Sequence, residues 1–336
     1  MNPSDTGMSR RTALAVLGAA GLGFWAMPSF TAGSERPEAP DLKSLLPHLS
    51  EISRNRLQDL LRRPGFSGQI PAEDVHVMSD TERNGQDGLM LGLLPLARTY
   101  SRPPISNFRV GAVARGVSGS LYLGANLEIP GQFLGSAVHA EQAALSNAYM
   151  HEEPGIAAIA VTAAPCGHCR QFMNELVSGG DIQILIEGNP AAKLSSLLPM
   201  SFGPKDLGVK EGAFPVRRVS LSLARGVSDE LALAALDSAQ RAYAPYTKAH
   251  SGVAVATRVG RIYRGSYIEN AAFNPSLSPL QTALAAVTVA GEDHTAIAEV
   301  TLVEPEGTIS QTSATEVVLS ALAPSVRLRV MVAARA

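Results

Sequence analysis

The chain has 336 residues, more than one average domain needs and enough for two of about 100–150 residues with helical or linker material besides. Its 28 basic and 30 acidic residues nearly cancel and 46% of it is hydrophobic, so a sizeable core is available while the positive excess that favours polyanions is missing; nucleic acid is not an expected partner. Only two cysteines occur, both in one short segment, which excludes a secreted disulfide framework and leaves one local event, redox or metal.

Residues 1–40 read as a leader. Ser9-Arg10-Arg11 precedes an uncharged run from Thr12 to about Phe30, which is followed by Gly, Ser, Glu and Pro. The apolar stretch is shorter than the ~20 residues of a spanning helix, and the paired arginines stand where a twin-arginine export signal places them. Periplasmic export without a stable membrane span is the expectation, and a cytoplasmic location the alternative.

Residues 41–95 carry leucines at helical spacing (Leu45, Leu46, Leu49, Ile52, Leu57, Leu60, Leu61), broken near Gly65 and again around Asp80 to Asp87, and predict a small helical arm. The catalytic domain is expected over 96–200. Segments 108–115 and 120–128 predict a β-hairpin around the turn at Gly116 to Gly119, followed by a helix over 137–150, a buried strand over 156–163, a helix over 166–177 and a strand over 182–187.

After a linker over 201–228, a second domain over 229–336 repeats this layout: helix 230–243, two strand-like segments within 245–257 and 261–273, helix 278–291, strand 297–304, helix 313–323 and strand 326–333. A hairpin followed by alternating helices and strands predicts an α/β fold, a three-layer α-β-α sandwich present twice.

The chemistry is concentrated in His139-Ala140-Glu141 and in Pro165-Cys166-Gly167-His168-Cys169. Zinc takes one imidazole and two thiolates and can leave its fourth position open, so His139, Cys166 and Cys169 are the candidate ligands for one Zn2+ per chain. Two thiolates neutralise the ion, and a helix start beneath them favours their ionised form. Glu141, two residues beyond His139, is placed to move protons without being a ligand. HxE with a distant PCxxC is the zinc deaminase signature. Taken singly, the CxxC could be a redox pair or a structural zinc knuckle, and His139 an ordinary helix histidine; metal content separates these readings. His168 is expected to point away from the ion.

These residues, together with PPISNFRVGAVARG (103–116), LGANLE (123–128), SFGPKDLG (201–208) and GSYIENAAFNPSLSPLQ (265–281), resemble the cytidine deaminase family, specifically its long two-domain bacterial and plant branch. The resemblance covers nearly everything after the leader. It implies deamination of cytidine and 2′-deoxycytidine to uridine and 2′-deoxyuridine plus ammonia, for pyrimidine salvage, in a homodimer with shared active sites. It assigns the ribose hydroxyls to Asn126 and Glu128, the face of the pyrimidine to Phe108, the ring oxygen to the main-chain N–H of Ala140, and a contact across the dimer to Phe202.

Ser278 and Leu280 replace the ligand and the proton shuttle in the second copy, which is therefore expected to be a degenerate deaminase domain that holds no zinc and closes a partner's site or scaffolds the dimer. The rival functions are a deaminase of another nucleoside or of nucleic-acid bases, a catalytically silent zinc or scaffold protein, and a CxxC redox protein. The near-neutral charge and the Asn126 and Glu128 pair oppose a deaminase of nucleic-acid bases, the intact Glu141 opposes a silent protein, and metal content discriminates against the redox reading.

Overall fold

The computed structural model describes residues 40–176, 179–224, 227 and 229–335, so the expected leader lies outside the described residues except for Pro40. Among the described residues no helix is long and apolar enough to cross a membrane.

The arm contains α1 (Leu42–Leu45), α2 (Glu51–Arg62), a two-residue strand β1 (Gln69–Ile70), α3 (Ala72–Ser79), α4 (Gly85–Gly92) and α5 (Leu94–Thr99). Then come β2 (Gly111–Gly116), β3 (Leu121–Ala125), α6 (Ala140–Met150), β4 (Ile156–Val161), α7 (Gly167–Met173), β5 (Gln183–Ile186), β6 (Ala192–Lys193) and α8 (Leu194–Leu197). The second copy contains β7 (Leu221–Ser222), α9 (Glu230–Gln240), β8 (Gly252–Thr257), β9 (Ile262–Ser266), α10 (Pro279–Val289), β10 (Ile297–Pro305), α11 (Thr312–Leu322) and β11 (Leu328–Arg335).

The first sheet has the order β1-β3-β2-β4-β5-β6 and the second β7-β11-β10-β8-β9. In each, a hairpin meets the next strand antiparallel and one parallel pair follows, β4 with β5 and β10 with β11, so the repeat read in the sequence is a repeat of topology.

Alternation along the strands divides the first domain into layers. Ala112, Ala114, Ile159, Val161 and Ile184 face one side and join the buried residues of α6. Val113, Leu121, Leu123, Ala158, Ala160 and Leu185 face the other and pack on Leu57, Leu60, Leu93 and Leu96 of the arm. The arm is thus the second helical layer of the catalytic domain and supplies its edge strand β1, rather than standing apart from it. The core beneath α6 continues without interruption into Leu280, Ala283 and Leu284 of α10 and Val253 and Leu302 of the second sheet, so both copies share one interior.

The strand expected from Phe108 begins only at Gly111. The Val110 N–H is taken by Asn126 Oδ1 at 2.9 Å and the Phe108 N–H by Ser106 Oγ at 3.0 Å, so side chains claim the donors that a ladder would have used. The second strand likewise ends at Ala125, which leaves Asn126 and Glu128 in the connecting segment.

Candidate active site

His139 is the residue that opens α6, with Ala140 and Glu141 its first two helical positions; Cys166 opens α7 and Cys169 lies in its first turn. Two devices hold the start of α6. Leu127 and Val138 exchange backbone hydrogen bonds at 2.9 and 2.8 Å, and Gln142 Oε1 accepts the His139 N–H at 3.2 Å, satisfying a donor that a helix start leaves free. Gly124 sets the depth of the helix: a Cβ there would stand 2.2 Å from Ala144 N and 2.4 Å from Ala140 O. Only glycine lets β3 pass that close.

His139 Nδ1 lies 3.5 Å from Cys166 Sγ and 3.3 Å from Cys169 Sγ, and the three ligand atoms all fall within 4.8 Å of one another. A nitrogen at 2.0–2.1 Å and a sulfur at 2.3 Å from tetrahedral zinc are about 3.5 Å apart, so this set fits Zn2+. Both cysteines are free thiols, not a disulfide. Cys166 is pulled down to about 4, first by the hydrogen bond from the Cys169 thiol and then by backbone N–H groups of the helix start; the same bond and burial push Cys169 up. Two sulfurs sharing one proton at a helix N-terminus are poised to exchange it for a cation.

Glu141 is 5% exposed, and burial pushes its carboxyl above the ordinary carboxylate range. It opens with His139, Ala140 and Cys166 onto a cavity of about 290 Å³ that is also lined by Phe108, Asn126, Glu128, Ala137, Val138 and Ala164. Burial alone would raise Glu128, but the Ser106 hydroxyl at 2.5 Å and the N–H groups of Ser106 and Ile105 at 2.9 and 2.8 Å outweigh it and hold the carboxyl below its usual range. Glu128 is therefore an oriented anion. Asn126 spends its Oδ1 on Ser101 Oγ and Val110 N–H and one amide hydrogen on Phe108 O at 2.9 Å, which leaves one donor for a ligand. Phe108, which lines the same cavity, is 60% exposed.

The cavity thus gathers eight of the nine candidate site residues, counting Cys169 through its contact with His139. Phe202 is the exception: it does not line the cavity of its own chain, is 47% exposed, and its carbonyl accepts from Gln171 at 2.8 Å and Asn174 at 3.0 Å. His168 stays outside the ligand set, its ring centroid 5.5 Å from that of His139 and its Nε2 3.2 Å from the Gln142 amide.

Sequence reading missed Ser106, whose hydroxyl and N–H orient Glu128, and Glu175, which accepts from Tyr243 at 2.9 Å, Tyr246 at 2.5 Å and Ala271 N at 2.8 Å and so ties the end of the metal helix to the second copy. The signal for Ser106 lay in the repeat. Glu269 holds the Tyr246 and Thr247 N–H groups and the Thr247 hydroxyl at 2.7, 3.2 and 2.6 Å just as Glu128 holds Ile105 and Ser106. Among the described residues His139, Cys166 and Cys169 form the one metal-ligating group, and the chain has no further cysteine for a second.

Two family models, both described as the cytidine and deoxycytidylate deaminase zinc-binding region, match residues 86–181 and 194–316. A cytidine deaminase from Serratia proteamaculans is 43% identical over 284 residues, covering 84% of this chain and 96% of the relative, and one from Pectobacterium carotovorum is 45% identical over 248 residues, covering 74% and 83%. A solved cytidine deaminase from Mycobacterium tuberculosis is 28% identical and covers 34% of this chain and 95% of that one, with a TM-score of 0.31. With the zinc ligands and the buried carboxylate in one cavity and relatives of this similarity over most of its length, the chain belongs to the cytidine deaminase family, in its long two-domain form, as a zinc-dependent enzyme.

Proposed function

We infer that the protein hydrolyses cytidine and 2′-deoxycytidine to uridine and 2′-deoxyuridine, releasing ammonia. The observation that carries this is one cavity lined both by members of a zinc ligand set with a protonatable buried Glu141 and by the oriented Glu128 and Asn126. Zinc held by His139, Cys166 and Cys169 supplies the Lewis acidity that makes water a nucleophile near neutral pH.

Glu141 does the proton work. A carboxyl whose pKa burial has raised can take the proton of the attacking water, deliver it to N3 of the ring and then help to protonate the departing amine. Glu128 and the free amide hydrogen of Asn126 receive the ribose diol, an anion and a donor being suited to two hydroxyls. Phe108 covers the pyrimidine, and the Ala140 N–H, one of the unpaired donors at the start of α6, meets the ring oxygen. Uridine formation from cytidine by the purified protein tests the reading: Glu141→Gln should cut turnover by about a thousandfold or more while one zinc per chain remains, and wild-type turnover by that variant overturns it.

The exposure of Phe202 outside its own cavity supports a homodimer in which it reaches the partner's site. Light scattering gives the mass, and Phe202→Ala should then raise KM more than it lowers kcat; a monomer with wild-type kinetics in that variant counts against it. The paired arginines ahead of a short apolar run support export of the folded, metal-loaded enzyme. Fractionation with amino-terminal sequencing decides this, an intact Met1 in the cytoplasm being the contrary result.

A further inference from the structure

The second copy lost its ligand and its proton shuttle but kept the glutamine beside them. Aligning the helix starts puts Ser278 opposite His139, Leu280 opposite Glu141 and Gln281 opposite Gln142. Both glutamines use Oε1 in the same way, accepting the N–H that opens their own helix: His139 at 3.2 Å and Ser278 at 3.0 Å. Both then send Nε2 into the other copy. Gln142 donates to Pro275 O at 3.3 Å, whereas Gln281 donates into a cluster of three carbonyls, Ser136 at 3.1 Å, Ala137 at 3.2 Å and Gly135 at 3.4 Å.

The two contacts are equivalent by topology and unequal in consequence. Pro275 leads into a helix start without chemistry. Residues 135–137 lead into Val138 and His139, and Ala137 and Val138 are themselves walls of the substrate cavity. Gln281 is buried, 8% exposed, so its two amide hydrogens have these carbonyls rather than water as partners, and the carbonyls in turn are gathered around one donor group.

We propose that Gln281 is a positioning residue for deamination: a side chain of the degenerate domain that holds segment 135–137 and thereby sets the cavity wall and the approach of His139 in the catalytic domain of the same chain. The inference rests on the deaminase reading, yet it can fail while that reading stands. It also accounts for the retention of a polar side chain at a position where the neighbouring catalytic residues have been replaced.

The test is steady-state kinetics with cytidine, zinc analysis and melting temperature on three single variants of the full chain. Gln281→Met keeps the length and removes the donor; kcat/KM is expected to fall about ten- to a hundredfold, the scale of a small misplacement near reacting groups, with one zinc per chain retained. Gln281→Glu sets a carboxylate against three carbonyl oxygens, and only its protonated form donates, so its kcat/KM relative to wild type should climb as pH is lowered from 8 to 5.5. Val303→Ala, in the buried cluster on the far face of the second sheet, is the control for general loosening and should melt earlier with wild-type kinetics. Wild-type kcat/KM in Gln281→Met, an equal loss in Val303→Ala, or a Gln281→Glu defect that ignores pH each overturns the proposal. Should Gln281→Met not fold, the pH series decides alone. Wild-type protein that makes no uridine overturns the deaminase reading instead.

Discussion

The two halves of this chain are the same scaffold with and without a reaction. Gly124 and Gly265 both bring a strand against a helix, where a Cβ on the second would stand 2.1 Å from Pro279 O and 2.4 Å from Ala283 N, and Glu128 and Glu269 grip equivalent loops. What separates them chemically is a few side chains: His139 against Ser278, Glu141 against Leu280, and two cysteines against none. Leu280 is 1% exposed and packed in the shared core, whereas Glu141 in the equivalent place opens onto the cavity. Losing the metal set has allowed one copy to convert a catalytic position into a packing position.

The comparison predicts a double dissociation, its largest expected effect. Glu141→Gln should lower kcat by about a thousandfold or more, within the range of general acid–base catalysis, with little change in stability. Leu280→Ala should cost about 2–5 kcal/mol by urea denaturation and leave kcat within a few-fold of wild type. If Leu280→Ala proved as inactive as Glu141→Gln, the division of labour between the copies would be lost.

The two glycines sharpen it further. Gly124→Ala and Gly265→Ala each force a methyl group against helix backbone and should each destabilise by about 1–3 kcal/mol or more. Gly124→Ala alone should also depress kcat, because α6 carries His139 and Glu141; equal kinetics in the two variants would count against that. At the seam, Glu175→Gln weakens a buried acceptor of two tyrosine hydroxyls and one N–H, at a cost of about 1–3 kcal/mol in the same assay.

The smallest effect is on pH dependence. Burial lowers the ring pKa of His151 in the first copy and of His294 and His250 in the second below the ordinary 6.5. A folded-state pKa below the unfolded one means that the unfolded chain takes up the proton first. The stability these groups allow is complete above about pH 6.5 and is lost as pH falls through their folded values, at no more than about 1.4 kcal/mol per pH unit for each. His294→Gln should flatten the fall in melting temperature between pH 7 and 5.5, and an unchanged slope would remove it from this account.

Much of this was legible in the residues. The zinc set, the proton shuttle and the absence of both from the second half can be read directly, because metal chemistry demands particular side chains at short spacings along one chain. The doubling of the fold is legible too, since hydrophobic periodicity and turn residues are local properties that recur when the sequence does.

Other features depend on approaches between residues far apart in sequence, which leave no periodic trace. Gln69–Ile70 forms an edge strand only because Leu121 and Tyr122 lie beside it. The leucines of the arm mark helices but not the sheet face they cover. Asn126 reads as a ligand amide, yet most of its capacity goes to Ser101, Val110 and Phe108, and Glu128 owes its charge and direction to a loop more than twenty residues earlier. Gln281 reads as a helix-start residue; its reach to carbonyls about 145 positions away exists only because α6 and α10 pack together in one core. Local chemistry wrote the reagents into the chain, and the packing of distant segments determined how they are aimed.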